Sequence, residues 1–372
     1  MPVWRDWKEL GRETFRSITR EDWAGLWREE WRDARRQLVS EQRAEIENER
    51  RRWKRFLRLA NAVVYGLARR LQPARRILYV AALLLALGDA CDFRLHRGDW
   101  HIGIGGGGFG LFLAFLLVEL LLALELVDKI RFRDELELAR ELQASLLPKT
   151  LPELPAFELG AWNRIANMVG GDVYDFVPLP DGRLAILFGD ASGHGMAAGL
   201  VMALAHAGFR TQLETDPSPE AVIPSMNRLL CRAGGPRSFF SCVYILAFPD
   251  GGLRITVSGH PQVLRIDQRG AVLERYGKGS YPLGIRSTIA WPIDESSLKP
   301  GEALVLYSDG LTEARNAAEE EFGEDRIEGA LRLFAASSSA ATLVAELAAA
   351  VNRFCGRIPP EDDVSIAVIR RR

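Results

Sequence analysis

The hydrophobic pattern changes period along the chain. Up to about residue 72 it is helical in spacing and dense in Arg and Glu, and Trp23, Trp27 and Trp31 recur every four residues on one face. That face suits an interfacial helix on anionic lipid or a stripe packed on another helix. Two apolar stretches follow. Ile77 to Leu87 is uninterrupted but short, and it reaches spanning length only if extended to Phe93 across Gly88, Asp89 and Asp92. Ile102 to Val118 is uncharged, runs on to Leu124 across Glu119 alone, and is long enough to cross a bilayer. Arg69, Arg70, Arg75 and Arg76 precede the pair, and Lys129, Arg131 and Arg133 follow it. Basic flanks on both sides predict a two-helix hairpin with both ends inside, or else a buried helical pair. Asp128 to Leu147 then reads as a strong helix. Phe132, Leu136, Ala139, Leu142 or Gln143, and Leu146 form a short coiled-coil-like seam, which pairs across a dimer or packs on its own domain. Pro148, Pro152 and Pro155 end it.

Beyond the prolines the period falls to two. Short strands are expected at Phe157 to Trp162, Val173 to Val177, Leu184 to Phe188, Ser241 to Phe248, Leu253 to Val257, Val263 to Ile266, Ala271 to Glu274, Ala303 to Tyr307 and Val364 to Ile369. Helices are expected at Ala197 to Leu213, Pro219 to Cys231, Ile327 to Phe334 and Ala341 to Phe354. Strands mixed with two helical blocks suit two packed antiparallel sheets flanked by helices, an α+β class.

Acidic residues abut these strands in four places: Asp172 in GGDVYDF, Asp190 in GDASGHG, Asp309 in SDG, and Asp362 with Asp363 before the last strand. One aspartate at a strand end is ordinary turn or cap chemistry. A converging set is different, because two carboxylates about 4 Å apart repel by about 4 kcal/mol at an effective dielectric of 20. Such a cluster calls for a cation. Oxygen ligation without His or Cys indicates Mg²⁺ or Mn²⁺, two of which could activate a water for in-line attack on phosphorus.

The strings GGDVYDF, FGDASGHGMAAGLVM, LYSDGLTEARN and EDDVSIAVIR, in this order between Phe157 and Arg372, resemble the PP2C-type metal-dependent serine/threonine phosphatases, and more narrowly their bacterial SpoIIE/RsbU-like branch. The resemblance implies a four-layer α/β/β/α sandwich of two antiparallel sheets. It implies that Asp190 bridges two metal ions, with the Ala191 carbonyl as a further ligand. Asp172 would serve the second ion directly or through water, and Asp309 and Asp362 would complete the set, with Asp363 as second choice. It implies hydrolysis without a phosphoenzyme, on phosphoserine or phosphothreonine of a small regulator such as an anti-anti-sigma factor. Some relatives carry a His two residues after the bridging Asp; here that position is Ser192, with His194 nearby, so the proton donor is open between these residues and water. His260, in a tight turn, is a base or a packed histidine. Arg286 and Arg315 are phosphate contacts or surface arginines.

Charge adds one asymmetry. The 372 residues carry a net charge of -1, which points to no nucleic-acid partner. Residues 1 to 75 hold 19 Lys+Arg and 12 Asp+Glu, a basic head of +7 on a remainder of -8. That head suits a membrane surface or a partner. Cys91, Cys231, Cys242 and Cys355 form no CxxC, as expected in a reducing compartment, and the charged stretch Met1 to Arg20 has no leader-like core. HExxH, GxSxG and P-loop signatures are absent. The expected organisation is a basic helical region (1–75), a two-helix transmembrane hairpin (76–127), a linker helix (128–148) and a phosphatase domain (149–372). It would sit at the cytoplasmic membrane with the catalytic part in the cytoplasm. The alternative is a membrane-anchored scaffold that uses the phosphatase fold only to bind a partner.

Overall fold

Period-two alternation from Phe157 onward produces twin sheets. The computed structural model of the chain describes residues 52–91, 93–97, 100–104, 108–166, 169–193, 195–233, 235, 238–277, 279–334 and 339–372. The Trp23, Trp27 and Trp31 stripe and His194 lie outside them. The chain divides into two compact units, Met1–Ile130 and Arg131–Arg372.

In the first unit, α1 (Arg52–Arg70) ends where the Arg76 guanidinium donates to the carbonyls of Ala68, Arg69 and Leu71. A cation at the last carbonyls satisfies orphan acceptors and favours the helix dipole. α2 (Pro73–Cys91) follows, then strands β1 (Phe93–Arg97) and β2 (Trp100–Ile104), which pair antiparallel, then α3 (Phe109–Leu146). The apolar run that begins at Ile102 is therefore not helical from its start. Glycines from Gly103 to Gly108 disfavour helix there, and α3 begins only at Phe109. α2 and α3 are braced at two levels: Arg75 reaches Glu125 and Asp128 at 2.9 and 2.7 Å, and Asp89 accepts from the Leu111 N–H at 3.3 Å. Among the described residues, α3 is the one helix long and apolar enough to cross a membrane. Its Phe109, Phe112, Phe115 and Leu122 side chains are exposed.

The second unit holds the sheets. One runs β10-β7-β6-β5-β4, the other β3-β12-β11-β8-β9, each antiparallel throughout. The first comprises β4 (Val173–Pro178), β5 (Leu184–Ala191), β6 (Phe240–Ala247), β7 (Gly252–Ser258) and β10 (Asp294–Ser297). The second comprises β3 (Phe157–Arg164), β8 (Val263–Ile266), β9 (Val272–Tyr276), β11 (Ala303–Tyr307) and β12 (Val364–Arg371). Alternate residues split each strand between two cores. Tyr174, Phe176, Ile186 and Phe188 meet Leu304, Leu306, Ala367 and Ile369 between the sheets. Val173, Ala185 and Leu187 face outward under α4 (Met196–Leu213) and α5 (Pro219–Ala233). Val305, Tyr307, Ile366 and Val368 pack under α7 (Gly323–Phe334) and α8 (Ala340–Cys355), with the one-turn α6 (Asp309–Thr312) between β11 and α7. The result is the expected α/β/β/α sandwich. Each fully buried Ile, Leu or Phe contributes roughly 1.5–3 kcal/mol. Of its strands, the charged β10 was not expected; it pairs along β7 from Asp294 to Ser297.

Candidate active site

The alternation that sorts the cores also aims the acids. Asp190 shares its parity on β5 with Ile186 and Phe188, and Asp172 shares that of Tyr174 and Phe176. Ser308, Ser365 and Asp363 share the parity of the inner residues of β11 and β12. β4 starts beside the end of β5, and β12 starts beside the end of β11. All of these groups therefore gather at one end of the gap between the sheets.

Close backbone approach draws them together. Gly171 donates to Asp363 Oδ2 at 2.7 Å and accepts from the Ala191 N–H at 3.2 Å. A Cβ on Gly171 would lie 2.6 Å from Asp190 Oδ1 and 2.8 Å from the Ala191 carbonyl oxygen, so those two oxygens share one hollow that only glycine leaves open. At Gly310 a Cβ would lie 2.1 Å from the Asp363 carbonyl oxygen, which keeps α6 against the start of β12. Asp363 is buried and its carboxylate is taken up by backbone: Oδ1 accepts from Ala166 at 2.8 Å and Oδ2 from Gly171. Asp362 is exposed, and its Oδ1 accepts from the Asp363 N–H at 2.8 Å.

The electrostatics record the crowding. Burial, then the charges of Asp309, Asp362 and Asp363, push the Asp190 carboxyl up to about 8. Burial, then the Asp190 charge, raise Asp172 well above the usual carboxylate range, against the pull of the Ser365 and Ser308 hydroxyls. Asp172 Oδ2 is buried with no hydrogen-bond partner. Ser308 and Ser365 are fixed in turn: the Ser365 N–H donates to Ser308 Oγ at 2.9 Å, Ser308 Oγ donates to the Asp363 carbonyl at 3.1 Å, and Asn163 donates to Ser365 Oγ at 2.9 Å.

Among the described residues, no group of three or more His, Cys, Asp or Glu side chains is disposed to hold a metal ion as it stands. The donor chemistry nonetheless fits a hard divalent cation. The converging donors are all oxygens, Asp172 Oδ2 lacks a partner, and the raised carboxyls of Asp172 and Asp190 are what a cation would relieve.

The other expected participants have contacts of their own. Ser192 Oγ accepts from the Phe239 N–H at 2.8 Å. His260 is buried edge-on against Phe188, and burial lowers it to about 4, so it is a neutral imidazole at neutral pH. Arg286 lies over the Tyr281 ring, and Arg315 pairs with Glu321 at 2.9 Å. Two arrangements escaped the sequence. Gln143 is buried on α3, donates to the Gly170 carbonyl at 2.8 Å and accepts from the Gly170 N–H at 2.9 Å. Its signal was a polar residue in an apolar seam, where Leu142 competed for the same place. Asp175, outward on β4 and buried, binds His206 Nε2 at 2.8 Å and Arg210 Nε and Nη2 at 2.6 and 2.9 Å. Burial opposes its ionisation, but those partners win and hold it below the usual range.

The two-sheet fold recurs among solved structures. The SiaA PP2C domain of Pseudomonas aeruginosa superposes with a TM-score of 0.58 at 21% identity, covering 65% of this chain and 98% of that one. The fold is that of the PP2C phosphatase domains. The family model of Stage II sporulation protein E (SpoIIE) matches residues 180–372, just over half of the chain, and the chain belongs to that family. It is 26% identical over 325 residues to protein IcfG of Synechocystis sp., covering 78% of this chain and 50% of the relative. It is 26% identical over 184 residues to phosphoserine phosphatase RsbU of Bacillus subtilis, covering 49% and 55%. The chain thus spans about half the length of these curated relatives.

Proposed function

We propose that the chain is a membrane-tethered, metal-dependent protein phosphatase acting on phosphoserine or phosphothreonine of a regulatory protein, such as an anti-anti-sigma factor. What supports this is the chain of carboxyls acting on one another: burial, then the charges of Asp309, Asp362 and Asp363, raise Asp190, and burial, then the Asp190 charge, raise Asp172. Membership of the SpoIIE family and likeness to a phosphoserine phosphatase support the reaction class.

Asp172, Asp190, Asp309 and Asp362 would hold two Mn²⁺ or Mg²⁺ ions, with the Ala191 carbonyl as a further oxygen donor. Such ions supply charge neutralisation and lower the pKa of water enough to give a nucleophile near neutral pH. Gly171 keeps the hollow beside Asp190 and Ala191 open. Ser365, whose hydroxyl accepts from Asn163 and keeps its own proton free, orients the Asp172 carboxylate. Asp363, with its oxygens engaged by backbone N–H groups, holds the Gly170–Asp172 segment in place. His260, neutral and buried, is set apart from proton donation, and the proton for the leaving serine oxygen would come from Ser192, His194 or water.

The exposed apolar face of α3 and the basic residues flanking it support tethering to the cytoplasmic membrane, with the catalytic unit on the cytoplasmic side. Leu138 and Leu142, 58% and 62% exposed one turn apart on α3, support pairing with a second copy through 128–147. The test is hydrolysis of p-nitrophenyl phosphate by the full chain in detergent with Mn²⁺. Turnover should vanish with EDTA and in Asp190→Asn, and turnover that survives both would refute the mechanism.

A further inference from the structure

A hollow of about 70 Å³ opens beside the aspartate cluster, sharing Gly310 and Asp362 with it. Its apolar wall comes from Ile358, Pro359 and Pro360, in the turn between α8 and β12. Its rim carries Glu313, Glu319 and Glu361. Glu313 stands near enough to Asp309, Glu321 and Asp362 for their charges to act on it, which places the hollow against the reaction site.

The volume sets the size of the occupant. A water needs about 10–15 Å³, so the hollow takes roughly five non-hydrogen atoms. That is one side chain, not a nucleotide or a stretch of backbone. The charge sets its sign. Among the described residues, Arg315 is the one cation in the lining, and its guanidinium is already held by Glu321 at 2.9 Å and Glu319 at 3.7 Å. The rim is therefore anionic, which repels a second phosphate and attracts a cation. An apolar wall under an anionic rim matches a side chain with a methylene stem and a charged tip. The rim is also preformed. Asn316 Oδ1 accepts from the N–H groups of Ala318 and Glu320 at 2.9 and 3.0 Å, and Arg315 forms a β-bridge with Glu321.

We propose that this hollow is a substrate subsite that takes a lysine side chain lying within about three residues of the phosphoserine, and so sets sequence preference. The inference rests on the phosphatase function proposed above. Its occupant is a basic side chain of the phosphorylated partner, held by long-range attraction and stem packing more than by one ion pair.

The test uses the full chain in detergent with Mn²⁺. A panel of phosphoserine peptides carries Lys, norleucine or Glu at each position from three before to three after the phosphoserine, and p-nitrophenyl phosphate is the control without flanking residues. At one position kcat/KM should favour Lys over Glu by roughly tenfold, with norleucine between. In the Glu319→Gln/Glu361→Gln double variant, both sites being on the exposed rim, that preference should shrink to about twofold while p-nitrophenyl phosphate turnover is unchanged. A panel that is flat, or that favours Glu, with p-nitrophenyl phosphate turnover intact overturns the subsite and leaves the phosphatase standing. Absence of turnover on every substrate overturns both.

Discussion

Asp190→Asn should abolish activity and, without divalent ions, stabilise the fold. The Asp190 carboxyl titrates at about 8 when folded, against an ordinary value near 4 in the unfolded chain. At pH 7 the folded state is therefore penalised by about 4 kcal/mol relative to an uncharged side chain of the same shape. Solvent reaching this partly exposed group screens the charges and trims the figure to roughly 2 kcal/mol. The sign follows from proton binding. Between pH 4 and pH 8 the folded state holds more protons at this site than the unfolded state, so wild-type stability falls as pH rises through that window. Asparagine has no such term. Urea denaturation in EDTA, followed at pH 4, 6 and 8, should therefore show the variant and wild type close together at pH 4, with the variant ahead by roughly 2 kcal/mol at pH 8. Mn²⁺ should then stabilise the wild type and leave the variant little changed. A variant less stable than wild type at pH 8 in EDTA, or a gap that does not depend on pH, would refute the convergence of charge at Asp190.

Gln143→Leu removes both hydrogen bonds to Gly170 and leaves a buried N–H and C=O unmatched, a cost of about 1–3 kcal/mol. Because Gly170 leads into Gly171 and Asp172, a titration of activity against Mn²⁺ should show a several-fold higher requirement in that variant. Arg210→Met should destabilise by about 2 kcal/mol at pH 7, less than for a fully buried pair because Arg210 is 49% exposed while Asp175 is 1% exposed. The Asp175 carboxyl is depressed in the folded state, so this stabilisation is fully present above the ordinary carboxylate value near 4 and is lost as pH falls through the lower folded value; the gap between the denaturation curves of the two proteins should narrow steadily as pH is lowered below 4.

The sandwich was legible because its strands announce themselves. Buried β5 and β11 are near-continuous apolar runs, β12 alternates, and Pro-Asp-Gly marks the turn after β4. The acidic motifs were legible for the same local reason, since each sits where a strand ends. The helix start at Phe109 was less so, because an apolar run with glycines can pair as β2 before it becomes helix. Strand β10 was illegible: Asp294–Ser297 has no apolar signal of its own and exists only as the partner of β7.

Sequence alone determined the local periods, the strand-end positions of Asp172, Asp190, Asp309 and Asp362, and the oxygen-only character of the donors. Tertiary structure alone decided which of two adjacent acids is enclosed. Asp362 and Asp363 are equivalent in composition, yet the pleat turns Asp363 inward onto the Ala166 and Gly171 N–H groups and leaves Asp362 exposed. It alone also decided that Gln143, not Leu142, is the buried residue of its turn. Those outcomes depend on contacts between residues 27 to 197 positions apart, and no local pattern encodes a partner that far away.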